Sequence, residues 1–73
     1  MRMLNVGDVI SYRPYGNRMA IADKVTSIEI CKPGMRYGRE VTSCDLDKHS
    51  NVVITVSNNH WCYKDQLIDI NQK

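Results

Sequence analysis

The chain has 73 residues, 42% of them hydrophobic and 25% charged, with four Gly, two Pro and a formal net charge of +2. That length supports one core, so residues 1–73 are expected to form a single domain, and the composition excludes a disordered chain. No apolar run approaches the roughly 20 residues of a membrane helix, and residues 1–8 lack the apolar stretch of a signal peptide, so a cytoplasmic location away from membranes is expected.

Turn signals at short spacing separate short runs of period-two character, the pattern of a small all-β domain. Gly7 and Asp8 open a strand over residues 8–13, with Ile10 and Tyr12 on one face. Pro14, Tyr15, Gly16 and Asn17 close it as a hairpin, Pro14 presetting φ and Gly16 tolerating a positive one. A long strand follows over residues 18–31. Met19, Ile21 and Val25 share one parity, whereas Ile28 and Ile30 have the other. A flat strand cannot change parity without turning its apolar side to water, so a bulge or bend is predicted within residues 24–27. A helix is the competing reading, disfavoured by the density of Ile and Val and by the lack of a cap.

Lys32, Pro33 and Gly34 form a strong turn that Tyr37 and Gly38 extend into a loop of about seven residues. Residues 39–44 read as a strand with Val41 inward, and residues 45–51 as a polar break. Residues 51–57, with Val52, Val53, Ile54 and Val56, form the clearest strand of the chain. Ser57, Asn58, Asn59 and His60 make a turn, and residues 61–64 a strand with Trp61 and Tyr63 on one face. Lys64, Asp65, Gln66 and Leu67 suit a single 3₁₀ turn. Ile68, Asp69 and Ile70 end the pattern as a short strand with both isoleucines on one side.

The stretches "VGDVISYR" at residues 6–13 and "HWCYKDQLIDI" at residues 60–70, on either side of a long bent strand and two further strands, resemble SH3-like barrels. Tudor and KOW-type members are the nearest in outline. The resemblance covers residues 6–70 and implies an SH3-like barrel of five or six strongly bent antiparallel strands. The ALYDY-type segment and Trp-Trp pair of peptide-binding SH3 domains are absent, and the superfold hosts many unrelated functions.

Three chemistries are then in question. Cys31, Cys44, Cys62, His49 and His60 could supply a metal site, but neither His60 with Cys62 nor Cys44 with His49 has the spacing of a zinc ligand pair, and no metal or cofactor is expected. The thiols suit the role of small apolar residues in strands and the histidines that of exposed turn residues. A Cys–His nucleophile pair oriented by Asp45 or Asp47 has no signature, and no catalytic residue is assigned.

The third candidate is a basic, aromatic face. Residues 13–39 carry Arg13, Arg18, Lys24, Lys32, Arg36 and Arg39 against Asp23 and Glu29, a net +4, whereas residues 40–73 are net −2. The resemblance would place the loops at 13–18 and 32–39 beside one ligand groove. There Arg13, Arg18, Lys32, Arg36 and Arg39 would meet phosphates, and Tyr15 and Tyr37 would stack on bases or hold an extended peptide. The bland alternative is a pair of solvated loops. Trp61 and Tyr63, with Tyr12, also invite an aromatic-cage reading, although with no Phe in the chain Trp61 is expected to serve the core or the groove floor. A binding module is expected, not an enzyme, with Arg13, Tyr15, Arg18, Lys32, Arg36, Tyr37, Arg39 and Trp61 at its site. Nucleic acid is the first choice of partner. A protein or acidic peptide bound in the groove or along a strand edge is the alternative, and self-association as a small homo-oligomer a third.

Overall fold

The computed structural model describes residues 2–16 and 18–71. Eight strands and two single-turn 3₁₀ helices follow in the order β1 (Met3–Asn5), β2 (Val9–Tyr12), β3 (Ile21–Ile30), β4 (Arg39–Val41), β5 (Ser43–Asp45), η1 (Leu46–Lys48), β6 (Val52–Val56), β7 (Trp61–Tyr63), η2 (Lys64–Gln66) and β8 (Leu67–Asn71). The fold is all-β and every strand pairing is antiparallel. The main sheet runs β7-β6-β3-β2-β8, with β4 on β3, while β1 and β5 form a separate pair. No closed barrel is present among the described residues, since the end strands β7 and β8 do not pair. No helix there is long and apolar enough to cross a membrane.

The long strand organises the molecule. Its first half pairs with β2, from Tyr12 opposite Ile21 to Val9 opposite Lys24, and its second half lies between β4 and β6. The β3–β6 register shifts between Val25 and Ser27, and this bulge lets both parities of β3 serve one core: Val25 is 1% exposed and Ile28 fully buried. The bend expected over residues 24–27 is therefore where the parity conflict requires it. Leu4, Ile10, Tyr12, Val25, Ile28, Cys44, Leu46, Val52, Ile54, Val56 and Cys62 form the core cluster.

Four features differ from what was expected or were not expected at all. The run read as one strand over residues 39–44 divides at Thr42 into β4 and β5, which pair with different partners. The segment taken as a polar break contains η1, whose Leu46 is wholly buried and whose N-cap Asp45 accepts the Asp47 N–H at 3.1 Å. β1 was not foreseen, because three residues are too few to show a period. Last, the β2–β8 register shifts between Ser11 and Tyr12, pairing Ser11 with Asp69 and Tyr12 with Leu67, so Ile68 is the extra, bulged residue. Ile68 is 53% exposed while Ile70 packs against the core, and the two isoleucines are not equivalent.

Candidate functional site

The 32–38 loop is held by a small set of bonds. Pro33 and Gly34 form the centre of a turn closed by Met35 N–H donating to Lys32 O at 3.0 Å, and Gly34 takes φ +80°, as the third residue of a type II turn requires. From below, the buried Asn51 amide donates to Lys32 O at 2.9 Å and to Met35 O at 2.8 Å. At the far end Gly38 N–H donates to the Glu29 carboxylate at 2.9 Å. Gly38 also packs on the strand below: a Cβ there would lie 2.2 Å from Ile30 O, so no larger residue fits without displacing backbone.

So constrained, the loop carries Arg36 across β7. Its guanidinium carbon lies 4.0 Å from the centre of the Trp61 ring and 4.7 Å from that of Tyr37, and Tyr63 meets Trp61 edge-on at 5.2 Å between centroids. The Arg36 Nη1 atom is buried with no hydrogen-bond partner among the described residues. A cation already occupies one face of Trp61, which is where an aromatic cage would hold a methylated lysine.

A second connection, residues 13–20, is anchored through Gln66. Arg13 N–H donates to Gln66 O at 3.0 Å, the Gln66 amide donates to Arg13 O at 3.1 Å, and its Oε1 accepts Tyr63 N–H at 2.9 Å. This fixes Pro14 between two open clefts. The larger, about 340 Å³, is lined by Arg13, Tyr15, Asp65 and Ile68 among others; the smaller, about 200 Å³, by Tyr12, Pro14, Asn59, His60 and Trp61. Pro14 belongs to both clefts, and Trp61 joins the smaller one to the Arg36–Tyr37 stack. One face thus runs from Arg13 to Tyr37.

Five of the expected site residues, Arg13, Tyr15, Arg36, Tyr37 and Trp61, lie along this face. Arg18, Lys32 and Arg39 do not line either cleft: all three are exposed, Lys32 offering its carbonyl to Asn51 and Arg39 starting β4 opposite Ile30. Trp61 is 41% exposed and lines the groove, the second of the two places expected for it, and the core ring is Tyr12 at 1% exposure. Tyr15 and Tyr37, at 75% and 73%, cover no core. Pro14, Asn59 and His60 were not expected as cleft residues, because turn formers declare a bend but not what it faces. Asn59 shows the cost of that view: it adopts φ 68°, inside a hairpin closed by Val56 N–H to His60 O at 2.9 Å, and so brings His60 and Trp61 to the rim.

The cations of this part of the chain form no ion pairs among the described residues, although Asp65 lines the larger cleft with Arg13. Arg2 is paired with Asp47 at 3.0 Å, and Lys64 donates to Leu46 O at 3.0 Å and to His49 O. By contrast Arg13, Arg18, Lys32, Arg36 and Arg39 have no carboxylate partner among the described residues. Asp23, which acts electrostatically on Tyr12 and His60 of the small cleft, is engaged by Ser57 Oγ and by Lys24 N–H at 2.8 Å; the Ser57 bond is the main reason its carboxyl is held below the usual range, with His60 a minor contributor. Burial chiefly raises the Tyr12 phenol, helped by Cys62 and Asp23, while the nearby Asn58 side chain opposes the shift.

Cys31, Cys44 and Cys62 are free, buried thiols raised by burial, Cys62 up to about 12. Burial thus disfavours the thiolate that nucleophilic chemistry needs. Among the described residues no three His, Cys, Asp or Glu side chains gather as metal ligands would. No family model matches the chain, and no curated protein or solved structure matches it either.

Proposed function

We propose that this chain is a small binding module of SH3-like outline that takes nucleic acid across the face from Arg13 to Tyr37. The outline is supported by the bent β3, by η2 set between the Trp61 strand and the closing strand, and by β8 lying beside β2. The observation that carries the function is Arg36 stacked on Trp61 next to an open cleft, with no carboxylate partner for it among the described residues. Stacked rings give sequence-tolerant contact with bases, and unpaired cations release counterions from phosphates.

The test is an NMR titration with short single- and double-stranded oligonucleotides at low salt. Amides of residues 13–16 and 32–38 shift, affinity falls steeply with salt, and Arg36→Ala weakens binding and lowers the salt slope by about 1. No shift in either segment would overturn the reading. An extended peptide is the second reading, favoured by Tyr12, Pro14 and Trp61 around the small cleft. It predicts weaker salt dependence, with shifts centred on that cleft.

A further inference from the structure

We infer that the small cleft is a subsite for one unpaired base, which makes the ligand a single strand and not a duplex; this rests on the nucleic-acid reading above. Size is the first reason. At about 200 Å³ the cleft lies below the roughly 300–1,000 Å³ of sites that enclose a whole drug-sized ligand, so it suits a single ring. Its walls are the second. Pro14 and Trp61 offer apolar surfaces, while Asn59 and His60 put polar groups beside them, the combination that fits a flat ring with a hydrogen-bonding edge.

Charge is the third reason. None of the cleft's lining residues is a carboxylate; Arg36 lies against Trp61 on one side, and on the other Arg13 precedes Pro14 in the adjoining cleft, which Asp65 also lines. Cations on both sides of a ring-sized cleft complement the phosphates flanking one base. In a duplex the base faces are covered by their neighbours, so none can enter a cleft sized for one ring. An unpaired base can turn in.

Trp61 is the chain's single tryptophan and reports on its own site. The wild-type chain is titrated with oligothymidylate of about ten nucleotides, a typical single-strand site size, with oligouridylate, with a duplex of equal length and with a proline-rich peptide. Expected are quenching of Trp61 fluorescence by the single strands and roughly tenfold weaker binding of the duplex. With a labelled single strand followed by anisotropy, Trp61→Leu weakens binding by about tenfold while its salt slope stays unchanged. Trp61→Phe keeps a stacking ring and binds almost as the wild type does, so a folding failure of the Leu variant leaves the comparison intact. Equal affinity for duplex and single strand, or binding with no change in Trp61 fluorescence, overturns the subsite while leaving nucleic-acid binding in place. Quenching by the peptide but by no oligonucleotide overturns both.

Discussion

Cys62 lies on β7, wholly buried, with its thiol raised to about 12 from an ordinary 9.0. A raised folded value means that the native state holds the proton more tightly than the unfolded chain. Its contribution is therefore complete below about 9, the unfolded value, and is lost as pH rises towards about 12. Cys31 and Cys44 shift in the same direction. Asp23 works at the other end: its lowered carboxyl contributes above the ordinary carboxylate value and loses that contribution as pH falls through its lower folded value. Urea midpoints should accordingly be flat between about pH 5 and 8 and decline on both sides. In Cys62→Ala the alkaline decline should be shallower. An unchanged alkaline limb would mean that the Cys62 proton is not what the folded state protects.

At the scale of elements, the 32–38 loop matters most, since it places Arg36 and Tyr37 against Trp61. Gly38→Ala would press a methyl into Ile30 O, and the loop must lift to accept it. The expected cost is about 1–3 kcal/mol in chemical denaturation, together with an altered Trp61 emission. Asn51→Ala removes the two bonds to Lys32 O and Met35 O, so that Met35 O loses its donor and Lys32 O keeps only the Met35 N–H of the turn. It should cost about 1–3 kcal/mol and broaden the amide signals of residues 32–38, whereas an unaltered loop would show that the turn holds without Asn51. The turn itself was legible, since Pro33 and Gly34 announce it. Its seat on Asn51 and Glu29 was not, because a side chain reaching a distant carbonyl leaves no periodic trace in the chain.

For the whole molecule, a domain of this size is expected to be stable by only about 4–11 kcal/mol. Leu4 has no exposed surface although β1 has just three residues and pairs only with β5, opposite Cys44. Leu4→Ala should therefore cost about 2–5 kcal/mol, enough to leave much of the protein unfolded under mild denaturant. A shift of the urea midpoint equivalent to less than about 1 kcal/mol would mean that β1 is dispensable to the core.

Strand-rich character, the hairpin after Tyr12, the bend between Val25 and Ser27 and the 3₁₀ turn before β8 all follow from the sequence by itself. Each rests on a local rule: parity, the φ freedom of glycine, or the fixed φ of proline. Only the tertiary structure decided that β7 and β8 leave the sheet open, that Ile68 bulges out, and that Tyr12 and not Trp61 fills the core. The same holds for the site. Arg13, Tyr15, Arg36, Tyr37 and Trp61 were marked by residue type, but their grouping depends on contacts between segments far apart in the chain. Pairing between distant strands sets those distances, and no local pattern of charge or hydrophobicity encodes it.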